Sequence, residues 1–499
     1  MTTAGSGGPL KVDVETWKNM LCSKAYGEFS WNLAEEVAVF ARRLCTESIP
    51  SDSMDAFWAC RLVPLMKEDD GVRPVGIGET LRRIVGKCVI KTLGTEVQMA
   101  AGTLQTCAGI ESGIEAAIHA MAKTFQEDSC EAVILVDADN AFNRLNRKVA
   151  LHNIERSCPL LHQFLSNSYK TPSKLHLGDG THILSKEGVT QGDNLAMAKY
   201  AVGTKNLIES LKRVNSETLQ VWFADDSAGA GNLVGLKGWW DHLNLFGPAY
   251  GYFPKPSKTY LILKRPDLLE KARELFGEEI KITTDGKRHI GAVIGTKEFK
   301  EEYVRDKIEK WIKDVTQLAE IARDEPQVAL SAFNTGLSQR WKFVQRTIPE
   351  ISHLFEPLES VIRSELIPAL CGREISDLER RIFSLPYRYG GLGILNPTTT
   401  AEREYCTSVK ITAGLTNLIC QQEMDLSLLD KEEMAKTKIQ LKKEKEITYK
   451  EEKENIIEML CEKEKRMLLA ASEKGASSWL SALPLKKLTG AYQERYLST

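Results

Sequence analysis

No apolar run in the 499-residue chain approaches the ~20 residues that a membrane-crossing helix needs, so no transmembrane span is expected. No two of its 11 cysteines form a CxxC pair, which argues against zinc ribbons and against the disulfide framework of a secreted domain. The cysteines read instead as reduced core residues of an intracellular protein. The opening "MTTAGSGGPLK" lacks a basic segment followed by an apolar one, so it is no secretory signal, and its Gly/Ser content reads as a flexible end. A P-loop, a GxSxG elbow and an HExxH helix are all missing, which sets aside the chemistries they carry. A formal net charge of −2 gives no global sign of a nucleic-acid partner, although local basic patches can exist under a neutral total.

What is present is the composition of a globular protein, 42% hydrophobic and 27% charged, in a chain long enough for two to four domains of about 100–200 residues. Residues 12–62 carry helical apolar spacing, with Leu33, Val37, Phe40 and Leu44 on one face. "LVPLMKEDDGVRPVGI" (62–77) is two short apolar runs around an Asp-Gly turn, a hairpin signal, and "ETLRRIVGKCVIKTLGTEV" then reads as a helix. Residues 110–126 are helical again. "EAVILVDADNAF" opens as a strand, "KLHLGDGTHIL" is a hairpin, and strands are expected at "LQVWFADD", "KTYLILK" and "RHIGAVIG", with a helix near 235–246. The mixture lacks the regular alternation of a doubly wound sheet, so the fold class is α+β with an antiparallel sheet.

From 297 onward the pattern is helical. Val304, Ile308, Trp311, Ile312, Val315 and Leu318 form one stripe, which Pro326 ends. "LPYRYGGLGILNP" (385–397) interrupts as a tight structured turn with no chemical role of its own. Residues 421–499 hold a mixed-sign charge run, read as a solvated helix or a partly disordered arm.

Two strands carry the chemistry. "AVILVDADNAF" and "VWFADD" each run apolar into aspartate, and as antiparallel neighbours they bring Asp137 and Asp225 to one sheet edge. Such a pair is what two-metal phosphoryl transfer needs, because Mg²⁺ takes a few carboxylates together with substrate phosphates. An Asp-Asp pair alone is a weak sign, since most such pairs are turn residues; "KEDDGV" at 67–72 is read that way.

The ordered set "KEDDGVRPVGIGETLRRIVGK", "VDADNAF", "EGVTQGDN", "WFADDSA", "GYFPKPSKT" and "HIGAVIG" resembles the successive motifs of reverse transcriptases, in particular those of non-LTR-type retroelements. The resemblance covers residues from about 12 to 400, and the stretch "ASEKGASSWLSALPL" is similar to that group as well. It implies a right-hand polymerase: N-terminal helices and fingers over 1–130, palm over 131–296, helical thumb over 297–372, a connection over 373–420 and a tail over 421–499. It also implies two Mg²⁺ ions, with Mn²⁺ as the substitute, and RNA template, DNA or RNA primer and dNTPs as partners. Endonuclease, RNase H and Cys/His segments of longer relatives are not recognised, which implies a fragment or truncated copy.

Residue by residue, the resemblance makes Asp137 and Asp225 the metal-binding pair and Asp226 the supporting carboxylate. Phe142 matches the aromatic ring that lies under the incoming sugar and excludes a 2′-hydroxyl; as composition alone has it, it is a packed core ring. Gly188 and Gly192 would let backbone approach the templating base pair, and Gln191 would offer a donor and an acceptor to a base edge. Lys67 and Arg73 would clamp the triphosphate from the fingers hairpin, with Arg82, Arg83 and Lys87 along the next helix for template phosphates or simply as a solvated face. Lys258 matches the lysine that protonates the pyrophosphate leaving group. "HIGAVIG" (289–295) corresponds to the primer-grip hairpin, and the 300–370 helices to the thumb on an A-form-like hybrid. Asn194 stands where the family has proline and Asn143 where it often has an acidic residue.

The implied activity is RNA-directed DNA polymerisation. An RNA-dependent RNA polymerase shares the chemistry but is disfavoured by Phe142. The reading from another class is a catalytically inactive or repurposed nucleic-acid-binding protein, against which the intact Asp137, Asp225 and Asp226 argue.

Overall fold

The computed structural model describes residues 7–66 and 71–482. They form two compact bodies: residues up to Thr284 together with Leu415–Leu429, and Asp285–Gly414 together with the chain from Asp430 onward.

The first body has nine strands: β1 (Cys60–Met66), β2 (Val72–Gly78), β3 (Ala132–Val136), β4 (Ser173–His176), β5 (His182–Ser185), β6 (Leu219–Phe223), β7 (Asp226–Gly231), β8 (Tyr260–Leu263) and β9 (Lys281–Thr283). They make two sheets, in the orders β2-β1-β4-β5 and β6-β7-β3-β8-β9. All pairings are antiparallel except β1 with β4 and β8 with β9, which agrees with the α+β expectation.

The centre of the larger sheet explains its sequence. Strand β3 has neighbours on both sides and every residue buried, so it reads as the unbroken apolar run "AVILV". Strand β7, "DSAGAG", has almost no strand formers and is not legible as a strand. It pairs on both sides with β6 and β3, where small residues are needed: a Cβ on Gly229 would stand 3.2 Å from Ile134 Cγ2.

In the second body β10 (Gly286–His289) and β11 (Ala292–Gly295) form a hairpin, so "RHIGAVIG" is not the single strand read from its pattern, and the hairpin that the motif resemblance implies is the form observed. The helix Lys297–Asp324 follows, with Thr296 capping it through the Phe299 N–H, and Pro326 starts the next helix in place of continuing this one. Of the anticipated stripe, Val304, Ile308, Trp311 and Val315 are buried, while Ile312 and Leu318 are half-buried and Ala319 and Ala322 complete the face. The charged stretch forms the helices Lys431–Met459 and Glu462–Ala471. Solvated arm describes only part of it, since Ile456, Leu460 and Leu468 pack with Leu385 of the 385–397 loop.

Among the described residues no helix is long and apolar enough to cross a membrane. All cysteines are free, but Cys22, Cys88, Cys406 and Cys461 are exposed, so core residue fits only some of them.

Candidate active site

Strand pairing seats the carboxylates. Val136 pairs with Ser227 at the end of the β3–β7 ladder, and Phe223 pairs with Asp226 at the end of β6–β7. Ala224 and Asp225 are therefore the two-residue turn of a hairpin, beside the residue at which β3 stops, Asp137. Burial raises the Asp225 carboxyl above the usual aspartate range, and the Asp137 charge adds to the rise while Arg73 opposes it. The two aspartates thus feel each other, and Arg73, from β2, feels Asp225. Asp226, the first residue of β7, is exposed.

A second run of backbone brings cations. Residues 253–255 lie beside 137–139, with Lys255 N–H donating to the Asp137 carbonyl at 2.9 Å and Asp139 N–H to the Phe253 carbonyl at 2.8 Å. The following turn places Lys258 Nζ 3.8 Å from Asp137 Oδ2, an ion-pair distance. Asp139 is held apart from this pair by Arg144 (2.6 Å) and Lys255 (3.7 Å).

Two residues that the sequence did not single out hold the turn. The Gln105 side chain accepts from the Ala224 N–H at 2.9 Å and donates to the Ala224 carbonyl at 3.1 Å. Tyr252 Oη donates to the Asp225 carbonyl at 2.9 Å and lies 2.9 Å from Ser227 Oγ. Both are fully buried. They secure a backbone under strain, because Ala224 sits at φ +56° without being glycine. Nothing local marks Gln105, since "AGTLQTCAGI" reads only as a loop. Tyr252 lies inside the quoted "GYFPKPSKT", and its hydroxyl contact is a tertiary fact.

Phe142 is half-buried and stacks on Tyr200, with centroids 4.7 Å apart and planes at 24°. Tyr200 is close enough to Asp225 and Asp226 for their charges, after burial, to hold its hydroxyl un-ionised. Gln191, with Asn143, lines a cavity of about 280 Å³ between the smaller sheet and the 187–191 loop. Lys87 is exposed, and Arg83 is half-buried with Nη2 on Thr80 Oγ1. Lys67 lies outside the described residues.

Four expectations are corrected. The strands that end at Asp137 and Asp225 are not antiparallel neighbours: β7 lies between β3 and β6 and runs antiparallel to both, so the two aspartates meet across the hairpin turn rather than across one strand pair. Arg82 is 5% exposed, and its guanidinium is taken by Asp193 at 2.5 Å and the Trp58 carbonyl at 2.8 Å, so it does not present a phosphate contact on a solvated face. Burial alone would raise the Asp193 carboxyl; Arg82 and the Tyr169 hydroxyl reverse that and keep it below the ordinary range. Gly188 (φ +73°) does not open space for a base pair: its Cβ position is filled by Asn143 backbone at 2.3 Å, and Val189 N–H bonds the Phe142 carbonyl at 2.7 Å. Gly192 (φ +105°) likewise packs on Gly76, whose N–H donates to Gln191 O. Asn194, in place of proline, donates to the Arg83 carbonyl at 2.6 Å.

Among the described residues no three His, Cys, Asp or Glu side chains converge as a metal-holding group. What the site offers is the Asp137–Asp225 pair. That fits Mg²⁺, which commonly takes one or two protein carboxylates and completes its octahedron with phosphate and water, and a cation would offset the burial and the Asp137 charge that together raise Asp225.

No family model matches the chain, and no curated protein does. Among solved structures the chain is similar to apo telomerase from Candida tropicalis truncated from its C-terminal domain, at 13% identity and TM-score 0.36, over 54% of this chain and 59% of that one. It is similar to telomerase from Candida albicans in complex with a TWJ fragment of telomeric RNA, at 10% identity and TM-score 0.42, over 79% of this chain and 66% of that one. Apo telomerase from Candida tropicalis is matched at 12% identity and TM-score 0.41, over 83% and 74%. The chain thus spans less than two thirds of the first two.

Proposed function

We propose that the chain is an RNA-directed DNA polymerase of the non-LTR retroelement type, extending a primer 3′-hydroxyl with dNTPs on an RNA template. The observation that carries this reading is the strand register that sets Asp137 beside the Asp225 turn, with the Arg73 charge on one and Lys258 beside the other. The motif order in the sequence supports it. In this reading residues 1–130 act as fingers, 131–296 as palm, 297–372 as thumb, 373–420 as connection, and 421–499 as tail.

Asp137 and Asp225 would hold two Mg²⁺ ions, or Mn²⁺, which when bound supply activation of the 3′-hydroxyl and neutralisation of the triphosphate charge. Arg73, exposed on β2, would act as a bidentate partner for phosphate oxygens, with Lys67 as the second cation that the motif resemblance assigns to the triphosphate. The 3′-hydroxyl gives up its proton to solvent as its oxygen bonds to the α-phosphorus and the bond to the pyrophosphate oxygen breaks, and Lys258 gives that leaving group a proton. Phe142, braced by Tyr200, would lie under the sugar and leave no room for a 2′-hydroxyl. Gln191 and Asn143 line the cavity in which the edge of a templating base would sit.

Primer extension on an RNA template in Mg²⁺, with dNTPs and rNTPs offered separately and Asp225→Asn as control, tests the reading. Extension by dNTPs that the variant loses is the expected result. No extension with either nucleotide set overturns it, and RNA binding retained without extension would establish the binding-protein reading instead.

A further inference from the structure

The second body contains a cavity of about 490 Å³, within the range of small-molecule sites and built from none of the carboxylate-site residues. One wall is the helical run through 334–345, which presents Asn334, Trp341, Lys342 and Gln345; the 385–397 loop adds Tyr387 and Arg388, and the helix Lys431–Met459 adds Tyr449. Two stretches that had no chemical role, the glycine-rich loop and the charged helix, meet at this place.

The walls are preformed. Asn334 Nδ2 donates to Tyr387 Oη at 2.7 Å and to the Leu392 carbonyl at 2.8 Å, and it does so from a π-turn, Phe333–Leu337, a rare element that collects at functional sites. Gln345 Nε2 is fixed on the Pro397 carbonyl at 2.8 Å. Arg388 is set by Glu446, with Nε 3.0 Å from Oε1.

The chemistry of the lining is aromatic, amide and cationic. Trp341, Tyr387 and Tyr449 supply aromatic lining, with Trp341 packed on Trp311 and Phe333 and Tyr449 beneath the Arg403 guanidinium. Gln345, 1% exposed, has a buried Oε1 that accepts no hydrogen bond, a vacancy for an N–H donor. Glu404 meets Lys445 at 3.4 Å and Arg388 meets Glu446, and Lys342 lines the same cavity within the field of Glu404. Lys342 Nζ donates to the neutral Gln339 Oε1 at 3.3 Å. Burial lowers the Lys342 ammonium, with Lys445 and Arg346 adding to the effect and Glu404 opposing it, and an incoming anion would act in the same sense as Glu404.

We propose that this cavity binds a nucleotide, its base against the aromatic faces with an amino or imino N–H on Gln345, and its phosphate on Lys342. The ligand is either a free mononucleotide or one unpaired nucleotide of a strand, and the site does not depend on polymerase activity. Equilibrium dialysis of the full chain in EDTA, which silences metal-dependent triphosphate binding, is the test, with AMP, dAMP and the pentanucleotide (dA)₅ as separate probes. Saturable binding of a mononucleotide assigns the first source, and binding of the pentanucleotide alone assigns the second. Lys342→Met should weaken either by about tenfold or more. As a check that needs no variant, photolysis with 8-azidoadenosine 5′-monophosphate, or a pentanucleotide carrying the same base, should label peptides containing Trp341, Tyr387 or Tyr449. No saturable binding of any probe, labelling confined to other peptides, or undiminished affinity in a folded Lys342→Met protein overturns the proposal.

Discussion

The side-chain amide of Gln105 completes both backbone hydrogen bonds of Ala224, the residue immediately before Asp225, and so acts as a one-residue strand against the turn. Gln105→Leu leaves a buried N–H and C=O without partners, which costs about 1–3 kcal/mol for each group. Metal binding should suffer as well, by about 10–100-fold, as it does when a group that orients a ligand is removed. Gln105→Glu separates the two effects: its carboxylate accepts from the Ala224 N–H but cannot donate to the carbonyl, whereas its protonated form does both. Mn²⁺ affinity by electron paramagnetic resonance, referred to wild type at each pH, should therefore recover in Gln105→Glu as pH falls and stay low in Gln105→Leu.

Asp225 carries a pH signature of known sign. Its folded-state carboxyl is raised above the unfolded value, so the native state holds more protons between the two and loses stability as pH rises through that window. At neutral pH Asp225→Asn should therefore raise the melting temperature measured without divalent ions. Mg²⁺ should stabilise the wild type and not the variant, and its affinity should decline as acid protonates Asp225.

Phe142→Ala tests the steric role and the packing role together. Loss of the stack on Tyr200 costs about 0.5–1.5 kcal/mol beyond the buried area, readable by denaturant melts. If the ring excludes the 2′-hydroxyl, the dNTP to rNTP preference in extension assays should fall by about tenfold or more. A stability loss with unchanged preference would leave Phe142 as a core ring only.

The second body holds its own stability test. Glu359 and Arg380 are both buried and joined bidentately at 2.6 and 2.7 Å, with Arg380 also donating to the Ile394 carbonyl. Glu359→Ala strands a buried guanidinium and should cost about 3–5 kcal/mol in urea unfolding, whereas replacing both residues with apolar ones should recover much of the loss.

How far the molecule was legible follows from the range of each signal. Strand β3 and the stripe of Val304, Ile308, Trp311 and Val315 were visible because burial on every side, or on one face, writes a local pattern. Strand β7 was not, because its small residues answer to Ile134 and Leu236 on other elements. The same contrast holds at the site. Asp137 and Asp225 each end a readable apolar run, but Gln105 and Tyr252 act through hydrogen bonds to distant backbone, and Arg82, which composition presents as one more surface cation, is buried by tertiary packing.

Arg82 ties the Trp58 carbonyl, Cys60 Sγ and Asp193 through one guanidinium, with Tyr169 closing the group from its own helix at 2.6 Å from the Asp193 carboxylate. Replacement of either charged member alone leaves the other uncompensated in the interior, so drift at this place has to proceed by paired change. The aspartate of "QGDN" is therefore constrained by the burial of an arginine whether or not any catalytic demand acts on it, and its persistence would report folding before it reported chemistry.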